Sequence, residues 1–120
     1  MSKPIVYAFD VDETLWISGG PVTAQSLIEL RNAGSIIGLC GNFAAVTRNC
    51  VDWFNLFSFL GSMGMTKAEF LVQLKTHVPC SEVVMVGNIK GVSGSSDDQG
   101  ESLKAGVRFI KESDFAAGAR

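Results

Sequence analysis

Two aspartates, Asp10 and Asp12, lie two residues apart directly after a short apolar run, and they are the side chains best suited to chemistry. Two carboxylates this close can turn towards one point, where they repel each other and where a hard divalent cation relieves the repulsion. We predict Mg²⁺ as this cation, because it takes oxygen ligands and binds few protein carboxylates beside water and a substrate phosphate. The alternative is that the two acids merely cap a turn, and for an isolated acid pair the two interpretations carry equal weight.

The segment before Asp10 is the first of five predicted strands. Residues 5–9 are a β-rich apolar run, which predicts a buried strand that ends at Asp10. The other four runs are bounded by turn signals such as Gly and Asn. They cover residues 35–40, 56–60, 82–86 and 107–110.

Four predicted helices separate these strands. Two of them begin at a threonine that is suited to the N-cap position, and the others follow a turn or a Gly/Ser-rich loop. They cover residues 23–34, 43–53, 66–77 and the segment that ends at Gly106.

The alternation of strands and helices predicts an α/β fold. We expect a three-layer, Rossmann-like sandwich with a mainly parallel sheet of about five strands, in a single domain over residues 1–120. Sites in such sheets form outside the carboxyl ends of the strands. The first, second and fourth strands end at Asp10, Cys40 and Gly87, which is therefore where we seek a site.

The segment FDVDETL, residues 9–15, resembles the first motif of the haloacid dehalogenase superfamily, a hydrophobic strand that ends in Asp-x-Asp-x-Thr. The resemblance implies that Asp10 is a nucleophile that forms an aspartyl-phosphate and that Asp12 is the general acid and base. It implies that the pair shares a Mg²⁺ ion and that Thr14 belongs to the substrate-binding residues. The chain has no room for a cap domain, so it resembles the capless members.

The resemblance also assigns a catalytic lysine. Lys67 lies twenty residues before Gly87, a spacing at which the family commonly places the lysine that neutralises the nucleophile and the phosphate. Lys67 is therefore the third predicted catalytic residue. The alternative is an ordinary exposed lysine in the first turn of a helix, where a cation is mildly unfavourable.

The fourth motif of the family, an apolar strand followed by metal-binding acids, resembles VVMVGN and the SSDDQGE segment that follows it. Asp98 falls on the second acid of that motif, with Asp97 beside it, whereas Asn88 takes the place of the usual first aspartate. The predicted metal ligands are Asp10, Asp12, Asn88, Asp97 and Asp98. A neutral ligand at position 88 weakens Mg²⁺ binding unless a later acid supplies the charge. Both later acids are also suited to cap the following helix.

The second motif departs further from the family pattern. Where the family has a Ser or Thr hydroxyl, this chain has Cys40 and Gly41 in the segment GLCGN. Gly41 could donate its backbone N–H and Asn42 its side-chain amide, so both are predicted substrate-binding residues. Cys40 is predicted to be a small buried residue and not a nucleophile, because the only histidine, His77, lies on another helix.

Composition excludes several classes of protein. The 120 residues carry a formal net charge of −2 without a basic run, which argues against binding to duplex nucleic acid. Three cysteines without paired spacing predict neither a disulfide framework nor a zinc site. The apolar run at the N-terminus is too short for a signal peptide or a spanning helix, so we expect a cytoplasmic protein with no membrane partner.

Two functions follow from these observations. The first is a Mg²⁺-dependent phosphohydrolase that cleaves a phosphomonoester, including one on a macromolecule, through an aspartyl-phosphate. An open site of this kind also fits a homo-oligomer, in which a neighbouring subunit serves as the lid. The alternative is a catalytically impaired domain that binds phosphate or another ligand, or acts as an interaction module, and it is motivated by Asn88 and the missing hydroxyl. A nucleotide-sugar glycosyltransferase would need a larger domain, and a receiver domain would need an acceptor aspartate after a later strand.

Overall fold

The computed structural model describes residues 3–120, which form one sheet of five parallel strands in the order β3-β2-β1-β4-β5. The strands are β1 (Ile5–Phe9), β2 (Ile36–Cys40), β3 (Leu60–Gly61), β4 (Glu82–Gly87) and β5 (Arg108–Lys111). The helices of this range are α1 (Ala24–Asn32), α2 (Phe43–Asn49), α3 (Trp53–Leu56), α4 (Lys67–His77), α5 (Asp98–Ala105) and α6 (Glu112–Ala116). A 3₁₀ turn, Trp16–Ser18, follows β1. The predicted α/β fold with a parallel sheet is confirmed.

Helices cover both faces of the sheet, which makes the fold a three-layer, Rossmann-like sandwich. Alternate residues of β1 point to opposite faces, so Tyr7 and Phe9 join one apolar cluster while Val6 and Ala8 join the other. Helices α1, α2 and α6 contribute to the first cluster, and α4 and α5 contribute to the second. Burial on both faces explains why the strands are nearly continuous apolar runs in the sequence.

The middle of the chain differs from the sequence prediction. The helix predicted over residues 43–53 is two short helices, α2 and α3, because the backbone at Cys50 is extended. The strand predicted over residues 56–60 is reduced to Leu60–Gly61. Phe59 packs its ring beside Gly38 of β2, where any Cβ would collide with it. The aromatic residues of this segment therefore fill space against the sheet more than they extend it.

The C-terminal part also departs from the prediction. The strand predicted over residues 107–110 lies one residue later, at Arg108–Lys111, and α6 was not predicted. Helix α6 has only five residues and lacks a helical repeat of apolar side chains. It is held by Phe115, which is fully buried and contacts the ring of Phe9 edge-on at a centroid distance of 5.2 Å. None of the helices in the described range has the length and apolar character needed to cross a bilayer.

Candidate functional site

The carboxyl ends of β1 and β4 meet where the order of the strands in the sheet reverses. The chain builds β1, β2 and β3 in one direction and then returns to place β4 and β5 on the other side of β1. In open α/β sheets, this switch point opens a crevice between the loops that follow the two strands. Asp10 follows β1, where its N–H donates to the carbonyl of Val86 at 2.9 Å, and Asn88 follows β4. The fold thus brings together two predicted site residues that are far apart in sequence.

Lys67 links two carboxylates at this switch point. Its Nζ lies 2.9 Å from Oδ1 of Asp10 and 2.7 Å from Oδ1 of Asp98. Asp10 is 2% exposed and Asp98 is fully buried, while the side chain of Lys67 retains 20% exposure. Because buried charges persist in proteins only when they are paired, Lys67 is the group that keeps both acids in place.

The position of Lys67 is fixed by the start of α4. Thr66 caps the helix by accepting a hydrogen bond from the N–H of Glu69 at 3.1 Å, and the carboxylate of Glu69 accepts one from the N–H of Thr66 at 3.2 Å. This reciprocal capping box satisfies two otherwise free donors and sets the first helical residue at Lys67. The cation is unfavourable at a helix N-terminus by itself, and the two carboxylates in contact with it offset that effect.

Asp97 and Asp98, both predicted as metal ligands, make contacts within the protein. Asp97 is exposed and caps α5 by accepting a hydrogen bond from the N–H of Gly100 at 3.2 Å. The oxygens of Asp98 are both engaged, Oδ1 by Lys67 and Oδ2 by the backbone N–H of Asn88 at 2.8 Å. Geometry therefore makes Asp98 the partner of the lysine and Asp97 a helix cap. Gly87, the last residue of β4, leaves room for Asp98, because a Cβ at this position would collide with the Asp98 carboxylate.

Asn88 lies at the centre of the site and is fully buried. Its Nδ2 donates to Oδ2 of Asp10 and to the main-chain carbonyl of Asp12, each at 3.0 Å. The hydroxyl of Thr14, also fully buried, lies 3.3 Å from Oδ1 of Asn88 and 3.3 Å from Oδ2 of Asp10. Within residues 3–120, every buried side-chain nitrogen and oxygen has a hydrogen-bond partner, so this network is complete as it stands.

The exposed side of the site is formed by the loops after β1 and β2. Asp12 is exposed, and its carboxylate accepts from Nδ2 of Asn42 at 3.3 and 3.4 Å. Gly41 does not offer the backbone N–H that was predicted to bind phosphate, because that N–H donates to the carbonyl of Gly61 at 2.9 Å. A Cβ at Gly41 would lie 2.5 Å from Oδ1 of Asp10. The glycine therefore serves to make room for the Asp10 carboxylate.

Glu13 is a residue of the site that the sequence analysis missed. It has a left-handed backbone conformation, with φ of 62°, which turns the chain immediately after Asp12. Its Oε1 accepts from the N–H of Ser95 at 3.4 Å and from the Ser95 hydroxyl at 3.3 Å. Glu13 thus joins the loop after β1 to the loop after β4. The only signal in the sequence was its place inside the acidic motif.

The protonation of the site follows from its burial. Burial, and next the charge of Asp98, raise the pKa of Asp10 to about 6, although Lys67 opposes the shift. Burial lowers the pKa of Lys67, but the carboxylates of Asp10 and Asp98 outweigh it and raise that pKa to about 12. Burial also raises the pKa of Cys40 to about 12, so this thiol stays protonated at neutral pH and is no nucleophile.

The raised pKa of Asp10 predicts a pH-dependent effect of Asp10→Asn on stability in EDTA. A carboxyl whose folded pKa lies above its unfolded value stabilises the fold below about pH 4, and this contribution is lost as the pH rises through about 6. The variant has no such loss, so its free energy of unfolding relative to wild type should rise between pH 4 and 7, by up to about 3 kcal/mol. Urea unfolding at several pH values measures it.

The matched control for this experiment is Asp114→Asn, because Asp114 is an exposed acid in α6, away from the site. Its free energy of unfolding relative to wild type should stay nearly constant over the same pH range. A flat difference for Asp10→Asn as well would contradict a raised pKa at Asp10.

A cation in this site would have to be held by the oxygens around Asn88. They comprise one carboxylate oxygen of Asp10 and the carbonyl of Asp12, both of which now accept from the Asn88 amide. Residues 3–120 hold no group of three or more His, Cys, Asp or Glu side chains that is placed to bind a metal ion. Hard cations accept carboxylate, carbonyl and amide oxygens alike, so the chemistry fits Mg²⁺ if the amide presents its oxygen.

Comparison with known proteins supplies no template for this site, since the chain matches no family model, no curated protein and no solved structure. The function proposed below therefore rests on the residues and distances of the site itself.

Proposed function

We propose that this protein is a capless phosphohydrolase of the haloacid dehalogenase kind, with Asp10 as the nucleophile. The observation that carries the proposal is the contact of 2.9 Å between Lys67 and Asp10 at the carboxyl end of the central strand. A carboxylate held by an ammonium group at a switch point, with a second acid, Asp12, two residues on, has the parts needed for covalent phosphoryl transfer.

The proposed reaction has two steps. An oxygen of Asp10 attacks the phosphorus, the bond from phosphorus to the ester oxygen breaks, and Asp12 gives a proton to the leaving oxygen. Asp12 then takes a proton from a water molecule that attacks the aspartyl-phosphate, which releases inorganic phosphate and restores the Asp10 carboxylate. Asp12 is suited to both tasks because it is exposed on the open side of the site and is oriented by Asn42.

Charge explains why the site also needs a cation. Asp10 and Asp98 carry two negative charges against the single positive charge of Lys67, so an approaching phosphate is repelled. Mg²⁺, held by Asp10, the Asp12 carbonyl and Asn88, would supply the missing positive charge and polarise the phosphoryl oxygens. Lys67 offsets the charge on the other side of Asp10 and keeps its oxygen in one orientation.

The surroundings of the site favour a bulky substrate. Asp10 is 2% exposed, so the phosphorus must approach past the exposed side chains of Asp12 and Asn42. A shallow, open depression of about 710 Å³ is lined by Glu13, the residue after Asp12, and by the loop from Lys90 to Ser95. Within residues 3–120 no cap covers this side, so the body of a larger phosphorylated molecule, or a second copy of the chain, would shield the reaction from water.

A second function, binding without hydrolysis, is favoured by one specific observation. Nδ2 of Asn88 already satisfies Oδ2 of Asp10 and the carbonyl of Asp12, so the network is stable with no ligand. A domain with this site could retain the fold and recognise a phosphorylated partner without turning it over.

Phosphate release from a panel of phosphomonoesters, with Mg²⁺ or with EDTA, separates these two functions. The panel should include phosphopeptides and nucleic-acid ends as well as small esters. Release that needs Mg²⁺ supports the hydrolase. Saturable binding of a panel member without release supports the binding domain, and neither binding nor release counts against both.

Gly41→Ser tests how the nucleophile is packed. The substitution restores the hydroxyl of the family's second motif, but its Cβ would meet Oδ1 of Asp10. We expect kcat/KM to fall by about 10²-fold, because a displacement of about 1 Å at the reacting atom has an effect of that size. Ala44→Ser adds the same hydroxyl in the first turn of α2 and should leave kcat/KM nearly unchanged. An increase in activity for Gly41→Ser would contradict this expectation. It would show that the wild-type site has room for the side chain and that its activity is limited by the missing hydroxyl.

A further inference from the structure

The side-chain amide of Asn88 directs its nitrogen towards two oxygens that could bind a cation. If the amide were reversed, its own oxygen would lie beside them as a third ligand. Nδ2 is 3.0 Å from Oδ2 of Asp10 and 3.0 Å from the carbonyl of Asp12. Both neighbours are acceptors, so the nitrogen is the correct end of the amide when no cation is present. The opposite end of the amide, Oδ1, faces the hydroxyl of Thr14 at 3.3 Å.

These distances are ordinary N–H···O hydrogen-bond lengths, and they are also close to the spacing of neighbouring ligands around a magnesium ion. Mg²⁺ binds oxygen at about 2.0–2.1 Å with near-octahedral geometry, which places neighbouring ligand oxygens about 3.0 Å apart. The Asn88 amide stands at this separation from two oxygens. While its nitrogen faces these two oxygens, the amide cannot be a ligand, because an N–H group does not bind a metal ion.

The surroundings of Asn88 permit the amide to reverse without other movement. The oxygen and the NH₂ group have nearly the same size, so a half-turn about the last torsion needs no extra space even against Gly94, where a Cβ would lie 2.6 Å from the amide. The Thr14 hydroxyl can serve both orientations, since it can donate to Oδ1 or accept from Nδ2. In the second case its hydrogen is free for Oδ2 of Asp10, 3.3 Å away.

We propose that the side-chain amide of Asn88 reverses when a divalent cation binds. In the metal-free protein its nitrogen faces Asp10 and the Asp12 carbonyl. Binding of the cation turns the amide, so that Oδ1 joins Asp10 and the Asp12 carbonyl as a ligand. Thr14 is the positioning residue that satisfies the amide in both states. The metal-free state is held by two hydrogen bonds to Asn88, one of them to a carboxylate, and a cation must displace both. We therefore expect wild type to bind Mg²⁺ weakly, because of the asparagine at position 88.

The inference deepens the proposed function, because it concerns the cation of the same site, but it is tested by binding and not by turnover. A hydrolase with a fixed amide would contradict the inference alone. An amide that reverses in a protein without any activity would contradict the proposed function alone.

The first experiment follows the side-chain amide of Asn88 by NMR in ¹⁵N-labelled wild type, with Mg²⁺ titrated into the full chain. The Asn88 NH₂ signals are assigned by their loss in Asn88→Asp. We expect them to shift as Mg²⁺ saturates, because the group leaves two negatively polarised acceptors for a hydroxyl. The NH₂ signals of Asn55, an exposed residue of α3, serve as the internal control and should not move.

The second experiment measures Mg²⁺ affinity by calorimetry in wild type, Asn88→Asp and the control Asn55→Asp. Asn88→Asp keeps the shape of the side chain and replaces the donor by a charged ligand, so its affinity should rise at least about tenfold. Its melting temperature in EDTA should fall below that of wild type, since it adds a carboxylate beside Asp10, and should recover with Mg²⁺. Asn55→Asp should match wild type in both measurements.

Three results would overturn the proposal. One is saturation of wild type by Mg²⁺ while the Asn88 NH₂ signals stay in place. The second is a Mg²⁺ affinity of Asn88→Asp equal to that of Asn55→Asp. The third is a wild type that binds no Mg²⁺ at all. The NMR titration of wild type decides the matter even where Asn88→Asp does not fold.

Discussion

Asp10→Asn is expected to lower phosphate release at saturating Mg²⁺ by at least about 10³-fold, the scale of loss when a covalent nucleophile is removed. The amide has the shape of the carboxylate and can still accept from Lys67, so the fold should persist, but it has no anionic oxygen to attack phosphorus. Steady-state release on the best substrate of the panel gives the rate. Acid quenching during turnover should trap a hydroxylamine-sensitive phosphoprotein in wild type and none in the variant.

The control for Asp10→Asn must separate catalysis from cation binding, since Asp10 is proposed to serve both. Turnover is therefore measured over a range of Mg²⁺ concentrations. A variant that regains the wild-type rate at high Mg²⁺ would show that Asp10 only binds the cation and is no nucleophile. Asp97→Asn changes an exposed acid at the same end of the sheet, where it caps α5, and should retain most of the wild-type rate.

The sequence could predict those features of the site that depend on residues close together in the chain. An apolar run that ends in acids placed Asp10 at the carboxyl end of β1, and the segment TKAE carries both the capping box and Lys67. In each case, the residue and the element that positions it are adjacent in sequence. Strand and helix boundaries near these motifs were accordingly predicted to within one or two residues.

The part that could not be predicted depends on contacts between distant segments. The contact of Asp98 with Lys67 follows from how α5 packs beside α4, which no local pattern encodes. The N–H of Gly41 donates to the carbonyl of Gly61 because β2 pairs with the short strand β3. Helix α6 exists because Phe115 fills a gap against β1, and its five residues carry no periodicity of their own.

Lys67→Met is expected to destabilise the protein more than any other single change at the site. Asp10 and Asp98 then lose the only cation among residues 3–120 that contacts them, and breaking a buried pair costs about 3–5 kcal/mol. For a domain of this size, that loss should lower the melting temperature by more than about 10 °C. Denaturant unfolding in EDTA at pH 7.5 gives the free energy, and circular dichroism gives the melting temperature.

The loss in Lys67→Met should itself depend on pH. Lys67 lowers the pKa of Asp10, so its removal raises that pKa further above the value of about 6. A group with a raised folded pKa loses its stabilising contribution as the pH rises through that value, so the deficit should be smallest near pH 4 and largest above pH 7. A deficit that grows towards low pH would contradict the assignment of the charges.

Two variants distinguish this electrostatic effect from simple loss of packing. Lys104→Met removes an exposed lysine that lies 3.6 Å from Glu101, and it should change the free energy of unfolding by less than about 0.5 kcal/mol. Adding Asp10→Asn to Lys67→Met removes one of the two carboxylates left without a cation, so the double variant should be more stable than Lys67→Met alone. If the two substitutions were merely additive, the ion pair would not be what holds Asp10 in position. If the double variant is instead more stable than the sum of the two single effects predicts, Lys67 stabilises the fold by pairing with the charge of Asp10. This is the same charge that Lys67 is proposed to offset in catalysis.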